Sequence, residues 1–490
     1  MTGEMEDLQN KVIDRELNEE FLELSNTENY KIPWKYVLRQ VLISSGVWAN
    51  FFTLGLCLGA PTVIVPQLRR DANSTDVVSD EMLSWLSSSS SYSGILQVII
   101  LTILPSCLGR KHCFLLVSTV AMIGFVLLYV STTITQILIS TIIHGILSAS
   151  HITISIMVIT EYSSPQYRGI FLTTKSASFL WGVWISNITG TFFHWKYIAM
   201  VGIVTTAYIL LTVLVWPESP LWLASKRRFG ECATAHYWLK GASSTSRKEL
   251  KDLIAFYKDD PSFSSDKRSS TKTDNEIIWK KGFYKPLLLT ILVNLLYNSL
   301  GKMTCTVYAF DILNKMTKSE SAAYTGMLIL DGVTLIGAYI GSGVSKIVKR
   351  RPFILIMTVV GIIFLYFLAF FIYLVHLNVV AENIFVCLAL LSLYSLAVSS
   401  GPLIMSSSLI SEFIPVTHRN IFTLIIGMFG NFCFATFLKV TPYLFSLWGF
   451  AGLFLCYAVL STIFIISLYV LLPETKDKTL LEIERLITKR

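Results

Sequence analysis

Charge is scarce in this sequence. Asp, Glu, Lys and Arg make up 15% of 490 residues, while 53% are hydrophobic and mean hydropathy is +0.60. A soluble domain carries about a quarter charged residues, so an ordinary water-exposed surface is excluded. Cysteine is also sparse and unpatterned: the eight residues contain no CxxC pair, which argues against a disulfide framework or a zinc site. No metal, nucleotide or phosphate-loop motif occurs, and no cofactor is expected. The first 36 residues are polar and Glu-rich with no short apolar core after Met1, so no cleavable signal peptide is expected.

What is present is a series of charge-poor apolar blocks, each about the 20 residues that cross a bilayer as a helix. Twelve are expected, near 41–66, 82–106, 113–131, 135–159, 169–191, 196–216, 286–310, 322–345, 352–375, 384–409, 421–439 and 447–472. Long unbroken runs exclude a β-barrel, whose strands alternate over about ten residues. The fold class is therefore an all-α polytopic membrane protein.

The blocks divide the chain into five parts: a cytosolic N-terminal tail (1–40), a six-helix half (41–216), a cytosolic loop with short amphipathic helices (217–285), a second six-helix half (286–472) and a cytosolic C-terminal tail (473–490). Within the loop, PSFSSDKRSSTKTDNE (261–276) is polar and expected to be mobile. The cytosolic assignment follows the positive-inside rule. Of 40 Lys and Arg, only Arg69, Arg70, Lys196, Lys315 and Lys318 fall outside, and Lys175, Lys302 and Lys439 lie in or at the ends of spans. The only two glycosylation sequons, at Asn73 and Asn187, fall in or beside outside loops. The net charge of +8 is then loop basicity, and no nucleic-acid partner is expected; the partners are the lipid bilayer and a small solute.

The halves repeat one another. ITEYSSPQYRGIF (159–171) and ISEFIPVTHRNIF (410–422) share five of thirteen positions at an offset of 251 residues. LGRK (108–111) is echoed by VKRR (348–351), and PESPLWL (217–223) by PETKDKTL (473–480). Duplicated six-span halves with a binding site between them at mid-membrane are a known transporter plan.

Several segments together resemble the sugar porter family of the major facilitator superfamily, and within it the insect facilitated trehalose transporter-like group. They are GAPTVIVPQLR in the first span, Glu161 to Gly169 as E-x3-P-x2-R-G, PESPLWL with SKRR after it, KPLL opening span 7, and PETKDKTLLEIE at the end. The resemblance implies two pseudo-symmetric six-helix halves and facilitative transport of trehalose or a hexose across the plasma membrane by alternating access. It assigns Arg110, Glu161, Arg168, Glu218, Arg350, Glu412 and Arg419 to cytosolic salt bridges that hold the halves together when the site faces outward. The sequence also departs from the family. Ser106 and Cys107, and Lys346 and Ile347, stand where Asp-Arg is usual, and the span 7 amide signature reads Tyr297-Asn298-Ser299-Leu300-Gly301-Lys302-Met303. Two other readings stay open: a porter for another small organic solute, proton-coupled or not, and a non-transporting sugar sensor.

A sugar shedding water needs its hydrogen bonds replaced. Asn294, Asn298 and Gly301 fall on one helical stripe, flanked by Tyr297 and Tyr308, with Ser176 and Asn431 adding polar groups; these are the candidate pocket. Charges within spans cost about 2.5–3.5 kcal/mol each at mid-bilayer. Lys302 and Asp331, in consecutive spans, are expected to pair; Lys175 either snorkels to a nearby end or faces the cavity, where it would favour a negatively charged solute. His144 and His151 lie seven apart on one face, as a proton relay or as buried neutral histidines. Span 1 has no Asp or Glu, and the resemblance to proton-coupled sugar porters, which carry an acid there, makes this absence favour uniport.

Overall fold

The computed structural model describes residues 33–72, 78–259, 281–317, 319–381, 383–414, 419–476 and 486–487, and every regular element among them is helical. Asn73, Lys318, residues 1–32 and the whole polar run 261–276 lie outside the described residues, as do 477–485.

The first half comprises α1 (Trp34–Asp71), α2 (Asp80–Leu108), α3 (Arg110–Val130), α4, α5 (Pro165–Phe192) and α6 (Lys196–Val215). Helix α4 runs as three pieces, Ile134–Ile143, Gly145–Ile152 and Ile154–Tyr162. The second half begins with α7, Lys281–Ser299 continued by Lys302–Val307, and a short helix follows at Ala309–Thr317. Next come α8 (Glu320–Ile347), α9 (Arg350–His376) and α10. Helix α10 is Ile384–Val398, a π turn at Ser399–Leu403, and Ile404–Phe413. The last helix, Arg419–Leu471, bends at Gly449 (φ 66°), giving α11 before the bend and α12 after it.

Ten helices are long and apolar enough to cross a membrane, among them the bent Arg419–Leu471. Counting its arms as two and adding α5 completes the expected twelve. Helix α5 falls short on hydropathy because Thr173, Thr174, Lys175, Ser176, Ser178 and Asn187 interrupt its apolar run.

The breaks fall where the chain departs from ordinary helix chemistry. Gly301 adopts φ 71° with its α-carbon against the Tyr457 ring, where an added Cβ would meet ring carbon at 2.5 Å. Only glycine takes up that left-handed conformation at little cost, so α7 is discontinuous at mid-course. The π turn of α10 contains Gly401 and Pro402, and proline removes a helical hydrogen bond.

Apolar side chains such as Leu96, Ile100, Val204, Phe367 and Phe370 are exposed around the bundle, the pattern of a lipid-facing surface. Three short helices (Pro220–Ser225, Phe229–Lys240 and Ser244–Asp259) form a layer with its own small core of Trp222, Leu223, Cys232 and Leu250. The layer is tied to α1, where Arg39 donates to the Trp238 carbonyl at 2.7 Å and Gln40 to that of Leu239 at 3.2 Å. This face of the bundle, with Arg110, Arg168 and Arg350, is the basic end; the opposite face is the far end.

Candidate solute cavity and the contacts that close it

Between the halves lies a cavity of about 230 Å³, lined by α1, α2, α4, α5, α7, α10 and α11. It extends from mid-membrane toward the basic end, where Ile156, Lys175, Ile410 and Ile426 belong to its wall. Five of the six expected pocket residues line it: Ser176, Asn294, Tyr297, Asn298 and Asn431. Tyr308 does not. Past the Gly301 break the chain turns away, and the buried Tyr308 hydroxyl donates to the Leu438 carbonyl at 2.9 Å.

The amides are partly engaged with one another. Asn298 Nδ2 donates to Asn294 Oδ1 and to its carbonyl, both at 2.8 Å, which leaves Asn294 Nδ2 and Asn298 Oδ1 for a solute. Asn431 Oδ1 accepts from Ser148 Oγ of the other half at 2.5 Å. Ser148 was not anticipated, since a lone serine in an apolar span carries no signal until its neighbour across the cavity is known. His144 and His151 both line the wall, and the His151 ring packs edge-on to Phe51 at 5.2 Å. Lys175 does not snorkel. It is 7% exposed, borders the cavity, and holds its ammonium 5.0 Å from the Phe51 ring centroid.

At the far end the halves are joined by hydrogen bonds. Asn187 Nδ2 of α5 donates to Asp331 Oδ2 of α8 at 2.6 Å, with Asn187 0% and Asp331 5% exposed. Thr62 Oγ1 of α1 donates to the Val307 carbonyl of α7 at 2.8 Å. Trp181 Nε1 donates to the Tyr339 hydroxyl at 3.1 Å, nearer mid-membrane.

Two sequence expectations are corrected here. Asn187, expected in or beside an outside loop, instead has its side chain enclosed within the helix bundle, where it holds Asp331 and in this conformation offers no surface to a glycan. Lys302 and Asp331 attract one another but do not pair: Lys302 Nζ donates to Thr306 Oγ1 at 3.3 Å, one helical turn along, while Asp331 is taken by Asn187. Cross-helix packing, invisible to spacing along one chain, decided both.

At the basic end the expected ionic residues meet, but within each half. Arg110 clasps Glu161 through Nε and Nη2, both at 2.8 Å, and Ser219 Oγ donates to the same carboxylate at 2.5 Å. In the second half Arg350 pairs with Glu412, which also accepts from Ser408 at 3.0 Å. Glu218 accepts from the backbone N–H groups of Arg110 at 2.7 Å and Lys111 at 3.2 Å, capping α3. Its counterpart, Glu474, accepts from Arg350 at 3.1 Å and Arg351 at 3.2 Å, capping α9. A carboxylate at a helix N-terminus is stabilised by the free N–H groups and the helix dipole. Glu474 was missed, although the echo of PES by PET marks it. Gly109 makes the first cap possible: with φ 91°, its Cβ would stand 2.3 Å from Glu218 Oε2. Arg168 donates to the Thr160 carbonyl at 2.9 Å instead of to a carboxylate. The Arg419 side chain lies outside what the structure describes. The resemblance implies bridges between the halves for an outward-facing site; among the described residues of this conformation Arg110, Glu161, Arg350 and Glu412 form one clasp in each half.

Comparisons with known proteins agree on the kind of molecule. The profile of the "Sugar (and other) transporter" family matches residues 14–487. The facilitated trehalose transporter Tret1 of Bombyx mori is 23% identical over 485 residues, covering 96% of this chain and 90% of that protein. The Tret1 of Aedes aegypti is 24% identical, and the chain spans 56% of its length. The arabinose-proton symporter of Bacillus subtilis is 24% identical, covering 82% of this chain and 86% of its own. In three dimensions the chain is similar to the proton:xylose symporter XylE bound to 6-bromo-6-deoxy-D-glucose, with TM-score 0.70 and 15% identity over 93% of this chain and all of that one. The inward open conformation of XylE from E. coli gives TM-score 0.69 at 15% identity, over 92% and 99% of the two chains. With a twelve-helix, two-half bundle around a central cavity and a family profile matched along almost its full length, this chain belongs to the sugar porters of the major facilitator superfamily and is a membrane transporter, not an enzyme.

Proposed function

We propose that the protein moves a sugar across the plasma membrane down its gradient by alternating access, with both termini and the basic end in the cytosol. The observation that carries this reading is the cavity, which is polar at mid-membrane, extends toward the basic end, and has the halves hydrogen-bonded on its far side. Such a geometry is an inward-facing state, and the positive-inside rule supports placing the basic end in the cytosol. The clasps Arg110–Glu161 and Arg350–Glu412 would exchange partners to bridge the halves when the site faces outward, as a device with two states close in energy requires. A cavity of about 230 Å³ is below the roughly 300–1,000 Å³ usual for drug-sized ligands, which favours a single sugar ring over a disaccharide such as trehalose.

Uptake of labelled glucose, trehalose and a small panel of charged sugar derivatives into cells expressing the protein tests the reading; surface delivery without uptake of any of them overturns it. Glu412→Gln is expected to shift the inward/outward population in an accessibility assay, and an unchanged ratio would remove the clasp from the mechanism.

A second reading, proton coupling, is favoured by Asp331. Its carboxylate is buried and bonded to Asn187 across the interface that must open, so its protonation would loosen that contact. Relatives of this chain include the arabinose-proton symporter of Bacillus subtilis. Uptake that collapses with an uncoupler and rises in acid would select it; indifference to both selects uniport.

A further inference from the structure

The charge in the cavity is one-sided. Among the described residues Lys175 is the sole formally charged side chain in its wall, and no described Asp or Glu lines it. Its ammonium meets the face of Phe51 and makes no hydrogen bond or ion pair with any described residue. Lys175 lies ten residues into α5, roughly 15 Å along the helix from its start. At that depth a cation without a counter-charge is costly and marks a functional group by default. The chain's own carboxylates are committed elsewhere: Asp331 to Asn187, Glu161 to Arg110 and Glu412 to Arg350. No described residue supplies a counter-charge to Lys175, and the cavity is where one would arrive from solution.

The rest of the wall narrows the class. Asn294 Nδ2 and Asn298 Oδ1 are unengaged in the bonds described above, and the Ser176 hydroxyl and Tyr297 adjoin the same space. These groups suit hydroxyls and a ring face, as the cation suits an anion. We propose that the cavity selects a monosaccharide-sized hydroxylated carboxylate, a uronate or aldonate, whose carboxylate pairs with Lys175 while its hydroxyls reach Asn294 and Asn298. This rests on the transport reading above and names the solute class for the same cavity.

The test uses the purified full chain, with thermal stabilisation in detergent reporting binding and proteoliposome uptake reporting transport. The probes are D-glucuronate, D-glucose and glucose 6-phosphate. Glucuronate is expected to stabilise the protein at concentrations where glucose does not. Lys175→Gln should weaken glucuronate binding by about tenfold to a hundredfold, the range for a hydrogen bond to a charged group, and so erase the preference for glucuronate over glucose. Lys175→Arg, which keeps the charge, should restore most of the response and shows that the site still folds. Equal binding of glucose and glucuronate, or a Lys175→Gln protein that binds glucuronate like the parent, overturns the proposal. Stronger binding of glucose 6-phosphate than of glucuronate overturns the carboxylate assignment. Glucose uptake without glucuronate binding defeats this inference and leaves the transport reading standing. Lys175-dependent glucuronate binding without any uptake does the reverse.

Discussion

The two membrane faces of the bundle are built on different plans. At the basic end the ionic clasps each stay inside one half: Arg110 with Glu161 and Arg350 with Glu412. At the far end the halves hold each other through Asn187–Asp331 and Thr62–Val307, short bonds from an amide and a hydroxyl. Ion pairs thus tie helices together within each half, while single hydrogen bonds from an amide and a hydroxyl join one half to the other. Hydrogen bonds between membrane helices contribute about 0.6 kcal/mol on average, so under the proposed alternating access a few of them would bias the two states without locking either.

The largest effect should come from breaking a clasp. Glu161→Ala strips Arg110 and Ser219 of their shared acceptor in a partly buried pair, at a cost of about 1.5–3 kcal/mol for hydrogen bonds to a charged group. Thermal unfolding should drop by several degrees. A normal melting curve would mean that the first half does not depend on its clasp.

Asp331→Ala attacks the other face. It leaves the enclosed Asn187 amide without its acceptor, a cost of about 1–3 kcal/mol carried by the closed far end alone. The population should shift toward far-side opening, read as faster labelling of Tyr324→Cys by an impermeant maleimide. Unaltered labelling would show that this bond does not hold the far end shut.

The basic end carries a helical layer, and the layer brings its own pH sensitivity. His236 is buried against the Ser246 carbonyl at 3.0 Å, and burial, followed by nearby Lys240, pushes its pKa down from 6.5 to about 4. The folded layer therefore keeps His236 neutral where the unfolded chain would take up a proton. Nothing is lost above about pH 6.5; stability falls as the pH drops from there toward 4, by about 1.4 kcal/mol at about pH 5.5. Urea unfolding followed by tryptophan fluorescence should show this loss, and His236→Asn should flatten it.

Thr62→Val is the mildest test. It removes one hydroxyl donor to the Val307 carbonyl and should shift the far-side labelling ratio by about 0.6 kcal/mol, roughly threefold. A shift as large as that of Asp331→Ala would mean that the far end is held by Thr62 and not by the carboxylate.

The spans, the duplication and the Glu–Arg repeats were legible in the sequence by itself, because each is a local or periodic property. Charge-poor blocks of bilayer length must become helices once every backbone group needs an internal partner. The echoes at 159–171 and 410–422 place Glu161 and Glu412 at matching helix ends before any coordinate is known. The pocket was legible in part, since the Asn294 and Asn298 stripe follows from helical spacing.

Tertiary structure decided what the spacing could not. Asn187 carries a perfect sequon yet lies sealed against Asp331, because burial depends on which helix packs alongside and not on the tripeptide. Lys302 and Asp331 occupy consecutive spans, but just past the Gly301 break Lys302 turns to Thr306 of its own helix, and Asp331 is held by Asn187 of the other half. Lys175 had two readings on the page, snorkelling or facing inward. Only the arrangement of α1 against α5 turned it into the cavity over Phe51, where its charge waits for a partner that the chain does not supply.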